Sequence, residues 1–196
     1  DRDRHQLLLL GERIGRISFD AAFPILHGKN GEDGTVQGLL ELAGVPVIGC
    51  GTLSSALCMD KHRAHLLARL AGVDVPRGAV FDQGASPQAL EAAGRGLGYP
   101  LFVKPVRAGS SFGITRIARP EQLAAAAQAA FFHDREILLE EAVPGFEVGC
   151  AVMGSPDEGE LTAGLVDEIQ LSGGFFDFEE KYPLKTSAIH CPARIA

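Results

Sequence analysis

The stretch His27-Gly28-Lys29-Asn30-Gly31-Glu32-Asp33-Gly34-Thr35-Val36-Gln37-Gly38 decides how the rest of the chain is read. It starts where the short apolar run Ala21 to Leu26 ends, and that run reads as a buried strand. Glycines at 28, 31 and 34 and acids at 32 and 33 make His27 to Gly34 a loop. From Thr35 onward Val36, Leu39, Leu40 and Ala43 recur at helical spacing, and Gly44 stands where a helix C-cap is expected. Val45 to Gly49 then reads as a second short strand. Strand, glycine-rich loop, helix and strand suit an open α/β domain whose loops follow the strand ends.

Downstream the order changes. Ser54 to Ala71 predicts one long helix closed by Gly72, Val80-Phe81 a strand, and Pro87 to Gly98 a second helix. The strand Leu101 to Lys104, the loop Pro105 to Gly113 and the strand Ile114 to Ile117 follow, and then an alanine-rich helix over Pro120 to Phe131. Ile137 to Glu141 and Glu147 to Met153 read as strands joined by the turn Val143 to Phe146, with Leu161 to Gln170 continuing the sheet. Ser172 to Lys185 has no clean periodicity and reads as a long loop before a last strand at Ala188 to Cys191. The fold class is therefore mixed, α/β at the N-terminal end and α+β after it. The boundary falls near Gly51 to Ser54, giving parts 1–53 and 54–196, and no internal repeat is visible.

Composition excludes several function classes. A formal net charge of −7 argues against nonspecific nucleic-acid binding, which needs clustered positive charge. No apolar run approaches the roughly 20 residues of a membrane helix, and Leu7 to Leu10 is too short and too charged at its flanks for an anchor or a signal peptide. Cys50, Cys58, Cys150 and Cys191 form no CxxC pair and read as buried free thiols of a reducing cytoplasm. His62 and His65 sit three apart on a helix without a nearby third ligand, which favours a solvated helix face over a metal site.

Four features carry chemistry. The loop Arg107-Ala108-Gly109-Ser110-Ser111-Phe112-Gly113 can bring backbone N–H groups and two hydroxyls close to phosphates, although the Gly-Lys-Ser/Thr of a Walker motif is absent and a plain hairpin loop has the same composition. Lys104 ends a buried apolar strand, so its ammonium must find an anion or bend out to water. Lys61, on a helix, is a weaker candidate of the same kind. Glu140-Glu141-Ala142-Val143-Pro144-Gly145-Phe146-Glu147 offers apolar walls and backbone edges for an adenine and carboxylates for a ribose, or else is an acidic hairpin. Glu179-Glu180-Lys181-Tyr182 lies in the long loop, either a lid over a reacting phosphate or an ordinary charged loop.

The order and spacing of these features resemble a known family. His27 to Gly38 is similar to the HGxxGEDGxxQG signature of D-alanine–D-alanine ligases, and Ser54-Ser55-Ala56-Leu57-Cys58-Met59-Asp60-Lys61 to that family's SAxxMDK helix. Phe102-Val103-Lys104-Pro105, the Arg107 to Gly113 loop, the Glu140 to Glu147 hinge and Lys181-Tyr182 follow in the family's order. The resemblance covers about Ala21 to Ala193. It implies an ATP-grasp fold with a partial N-terminal preATP-grasp domain, and the ATP-dependent ligation of D-alanine to a second D-amino acid through an acyl phosphate. It implies ATP phosphates on Lys61, Lys104, Ser111 and the lid Lys181, adenine at Glu140, Ala142 and Val143, and ribose at Glu147. It further implies that Ser110 and Tyr182, with Lys181, serve the reaction and that His27 stands beside the first D-alanine.

Other expectations come with the family: Mg2+, a homodimer and a cytoplasmic setting. No metal ligand is assigned within this sequence. The family's opening strand and its C-terminal segment with the magnesium ligands are not matched, so residues 1–196 alone are expected to bind ATP poorly and to be inactive. Gly109-Ser110-Ser111-Phe112-Gly113 and Glu147-Val148-Gly149-Cys150-Ala151-Val152 are most similar to vancomycin-resistance ligases. Phe175-Phe176-Asp177-Phe178 with Glu180-Lys181-Tyr182 and Leu184-Lys185-Thr186 is most similar to the D-alanine–D-serine type, a resemblance that implies D-serine or D-alanine as second substrate rather than D-lactate. The rivals are a D-lactate ligase, a nucleotide-binding remnant, and another carboxylate–amine ligase such as a biotin carboxylase relative, against which the His27 to Gly38 signature argues.

Overall fold

A computed structural model describes residues 6–9, 15–154, 159–170 and 188–195. β1 (Gln6–Leu9) and β2 (Gly15–Ser18) pair as an antiparallel ribbon. The helices α1 (Thr35–Leu42), α2 (Thr52–Met59) and α3 (Lys61–Leu70) follow. Then come β3 (Gly78–Asp82), α4 (Pro87–Leu97), β4 (Leu101–Pro105), β5 (Thr115–Ile117), α5 (Leu123–His133) and β6 (Glu136–Glu141). The last strands are β7 (Glu147–Gly154), β8 (Leu161–Gln170) and β9 (Ala188–His190). The chain divides into two units, Asp1–Ala142 and Val143–Ala196, so the position 53/54 falls inside the first.

The first unit is organised by an antiparallel sheet of order β3-β6-β4-β5. Side chains alternate across a sheet, so each strand carries two sets of residues. Leu101 and Val103 of β4 and Ile137 and Leu139 of β6 pack with Leu90 of α4 and with Leu123, Ala126, Ala127 and Ala130 of α5. The three alanines let α5 lie close to the sheet, and each fully buried leucine or isoleucine contributes about 1.5–3 kcal/mol. The register sets Phe102 opposite Glu140 and Lys104 opposite Leu138, which places these four on the other face. That face carries the polar chemistry.

Local signals fix the helix ends. Ser86 accepts the Ala89 N–H and Pro87 occupies the first turn of α4. α1 closes with Gly44 N–H on Glu41 O (3.0 Å) and Val45 N–H on Leu40 O (2.9 Å), and the left-handed φ of 70° at Gly44 permits this Schellman closure.

Several expectations are corrected. The single helix over 54–71 breaks at Asp60, whose backbone is extended and whose side chain caps α3 by accepting the Arg63 N–H. An aspartate that bonds its own downstream backbone favours a cap over a helix interior. The 137–141 and 147–153 strands do not form a hairpin. β6 already pairs with β3 and β4 on its two edges, and β7 belongs to the β7-β8-β9 sheet of the second unit. The strand expected to be buried at 21–26 and the short strand expected at 45–49 are reduced to one parallel bridge, Ala22 to Val47, and Phe23, Ile25 and Leu26 of the first are exposed. Pro24 and Pro46 have no N–H to extend a ladder. The four cysteines are free but exposed rather than buried. On α2, only Ser55 is buried, which leaves Cys58 outward.

Candidate functional site

Three side chains of the His27 to Gly38 segment, Glu32, Asp33 and Gln37, hold its own backbone. Glu32 Oε2 accepts the Gly28 N–H at 2.5 Å, and Asp33 accepts from Asn30 N (2.8 Å) and Thr35 N (3.1 Å). Burial alone would raise the Asp33 carboxyl, but these donors hold it below its ordinary value. The buried Gln37 amide donates to Gly31 O at 3.0 Å. Gly34 has φ +90°, and a Cβ there would lie 2.6 Å from Thr52 O. His27 is left outward, its side chain 57% exposed and its Nδ1 4.0 Å from Glu32 Oε1.

The loop between β4 and β5 is gripped at its base from two sides. On one side Val106 N–H donates to Glu136 O (3.0 Å), and Arg107 meets Asp134 through its backbone N–H (2.7 Å) and both guanidinium edges (3.1 and 2.6 Å). The guanidinium also lies 2.8 Å from Glu136. On the other side Lys61 donates its backbone N–H to Val106 O (3.1 Å) and its ammonium to Pro105 O (3.1 Å) and Ala108 O (2.6 Å). Beyond the base, Ser110 and Ser111 have φ of 50° and 59°. Consecutive non-glycine residues in that region are uncommon and mark a constrained turn. Gly109 packs against the signature loop so tightly that a Cβ would lie 3.0 Å from both Gly28 Cα and Glu32 Oε2. The two glycine-rich segments thus meet backbone to backbone.

Below this loop lies a charged cluster. The Lys104 ammonium pairs with Glu140 Oε1 and sits 5.2 Å from the Phe102 ring centre. Glu140 is 4% exposed, and its Oε2 has no hydrogen-bond partner, His65 Nδ1 lying 3.7 Å away. Burial and then the neighbouring Lys104 pull the Lys61 ammonium down to about 8. Burial also lowers His65, against the pull of Glu140. His65 therefore faces this cluster rather than a solvated helix surface, because it follows Lys61 by one turn on the same side of α3.

Not all expected residues come together here. Glu141 turns away from Glu140 and pairs with Arg77 Nε at 2.6 Å. Ala142 closes the first unit with its N–H on Pro100 O (3.3 Å), and Val143 is exposed. Glu147 opens β7 in the second unit, opposite Ile169. Lys181 and Tyr182 lie outside the described residues. Among the described residues no group of three His, Cys, Asp or Glu side chains is placed to hold a metal. Sequence reading missed Glu32 at the loop junction, His65, and the Arg107–Asp134 clamp. His65 was signalled by its four-residue spacing from Lys61; Asp134 had no local signal, since its partner lies 27 positions away.

Comparison with known proteins adds the decisive observation. The family model for the D-ala D-ala ligase C-terminus matches residues 67–196, and that for the N-terminus matches residues 3–50. The chain belongs to the D-Ala-D-Ala ligase family. Its mixed α/β architecture is the ATP-grasp fold of these ligases, which use ATP and Mg2+. The solved VanG D-Ala:D-Ser ligase from Enterococcus faecalis is 58% identical with a TM-score of 0.79, over 94% of this chain and 52% of that one. The vancomycin B-type resistance protein VanB of Enterococcus faecalis is 49% identical over 189 residues, 95% of this chain and 53% of its own length. A putative D-alanine–D-lactate ligase of Streptomyces coelicolor is 47% identical over 92% of this chain and 51% of its own length. The chain thus spans about half the length of the ligases it matches.

Proposed function

We propose that this chain carries the nucleotide-gripping part and a share of the first-substrate site of an ATP-dependent ligase. The enzyme joins D-alanine to a second D-amino acid, D-alanine or D-serine, for peptidoglycan precursors. The observation that carries this reading is the convergence of Lys61, Lys104 and Glu140 at the base of a glycine–serine loop that abuts the His27 loop. A buried carboxylate oxygen without a donor, Glu140 Oε2, is the acceptor that an adenine amino group satisfies. Ala142 and Val143 would continue the adenine edge, and Glu147 would accept the ribose diol. Lys61, Lys104, Lys181 and the Ser111 loop would meet the phosphates. Ser110 and Tyr182 would orient the amino acid beside His27.

The chemistry explains why cations and N–H donors are needed. The carboxylate of D-alanine attacks the terminal phosphorus of ATP, and ADP leaves with the bonding pair. The amine of the second substrate then attacks the acyl carbon, loses a proton, and inorganic phosphate departs. Charge grows first on the phosphoryl oxygens and then on a tetrahedral oxyanion, and fixed donors stabilise both. Mg2+ would supply further charge at the phosphates, its ligands being expected in the family's C-terminal segment. The family likeness supports a cytoplasmic homodimer, and no helix among the described residues is long and apolar enough to cross a membrane.

D-Serine as second substrate is supported by the likeness to the VanG enzyme, and D-lactate by that to the Streptomyces coelicolor protein. Competition decides between them. The product of the complete reading frame that encodes this sequence, given ATP and D-alanine with equal D-alanine, D-serine and D-lactate, is expected to form dipeptides. Predominant depsipeptide would overturn this choice. Residues 1–196 alone are expected to release phosphate from ATP near background with D-alanine; robust turnover would show that they suffice.

A further inference from the structure

We propose that Lys61 is a positioning residue that tethers the base of the 105–113 loop through two main-chain carbonyls, and that this tether, in the absence of nucleotide, sets where Ser110 and Ser111 stand. The role for the loop rests on the nucleotide-binding reading above; the tether itself does not. Lys61 begins α3, directly after the cap Asp60, so its backbone is fixed at both the helix start and the contact with Val106 O. From there the ammonium donates to Pro105 O (3.1 Å) and Ala108 O (2.6 Å), which lie on either side of Val106 and Arg107. The three bonds bracket the point where β4 ends and the loop begins.

The tether has few substitutes. Arg107 and Asp134 hold the same base as well, but they bind the Arg107 N–H and side chain and leave the carbonyls of 105 and 108 to Lys61. Without it, two carbonyls beside the buried residues Pro105 and Val106 lose a charged donor. An ammonium has three donors, and two are engaged on the loop. A phosphate therefore meets a lysine whose position is already set, and its placement of the loop's N–H groups matters as much as its own charge. The groups that face Lys61 are Lys104 and Glu140 from the sheet, Asp134 from the end of α5 and Asp60 from its own cap. Lys104 already neutralises part of Glu140, so the carbonyls are the direct partners of the Lys61 ammonium.

Hydrogen exchange read by mass spectrometry on residues 1–196 without nucleotide tests this directly. Lys61→Met is expected to speed exchange of peptides covering 106–113 by roughly 10- to 100-fold, the equivalent of losing a charged hydrogen bond. Peptides covering β3, β6 and α5 should change less than about twofold. Lys61→Arg, which keeps a charged multiple donor, should restore most of the loop protection. Unchanged loop exchange in Lys61→Met would overturn the proposal, as would an equal rise across the whole first unit in both variants. If Lys61→Met does not melt cooperatively, Lys61→Gln and Lys61→Arg are compared instead, and equal loop exchange in these two would overturn it. Millimolar ATP provides the separating arm. Absence of any ATP-dependent protection in the product of the complete reading frame, the form expected to bind ATP well, would count against the nucleotide reading while leaving the tether standing. Loss of ATP protection in Lys61→Met with unchanged loop exchange would make Lys61 a phosphate ligand only.

Discussion

At the residue scale, the Lys104–Glu140 pair shows how a polar face is kept inside a sheet protein. Lys104 is 19% exposed and Glu140 6% at the side chain, so neither charge is tolerable without the other. Lys104→Met is expected to destabilise the first unit by about 3 kcal/mol in urea unfolding, because it strands a buried carboxylate. The double variant Lys104→Met with Glu140→Leu should recover most of that loss, and a strictly additive cycle would show that the pair does not interact. Gly34 gives a second prediction. Gly34→Ala combines left-handed backbone with a contact to Thr52 O and should cost more than about 2 kcal/mol, whereas Gly44→Ala, with nothing within 4 Å, should cost only about 1–2 kcal/mol. Equal costs in thermal melts would mean that the Thr52 contact relaxes freely.

At the scale of elements, the 105–113 loop is a rigid base with a constrained tip, and its clamp is pH-sensitive. Burial by itself would raise the Asp134 carboxyl, but Arg107 and two backbone donors outweigh it and lower it below its ordinary value. A carboxyl depressed in the folded state contributes stability above about pH 4, its unfolded value, and loses it as pH falls through the folded one. Asp134→Asn is therefore expected to lower the Tm at pH 7 and to flatten its fall below pH 4. A variant whose Tm tracks the wild type across that range would exclude the clamp. Legibility differs among elements for similar reasons. The Leu101-Phe102-Val103 alternation and the Ser86-Pro87 cap are local, and β4 and α4 sit where the sequence puts them. The break at Asp60 and the separation of β6 from β7 depend on which partners are already occupied, and no single segment records that. In the site, Lys104 and the glycine–serine loop were visible from their own neighbourhoods. That Lys61 would bind carbonyls of that loop, 44 and 47 positions away, was not.

At the scale of the whole molecule, the two units differ in how they can be stable. Most of the buried apolar residues of the first unit form one cluster between the sheet and helices α4 and α5. In the second unit the described apolar residues Val148, Val152, Met153, Leu161, Leu165 and Ile189 are exposed. A three-stranded sheet needs an apolar face covered by something to persist alone. Residues 1–142 are thus expected to melt cooperatively as a separate fragment, and residues 143–196 are not, as circular dichroism of the two would show. A cooperative transition in the shorter fragment would mean that its sheet is covered from within its own sequence.

The exposed thiols have a practical side. Cys50 and Cys58 belong to the first unit and Cys150 and Cys191 to the second, and the chain contains no tryptophan. Retaining one cysteine in each unit would give two attachment points for a dye pair with no tryptophan emission beside it. Energy transfer between the dyes would then report in solution whether added ATP draws the units together.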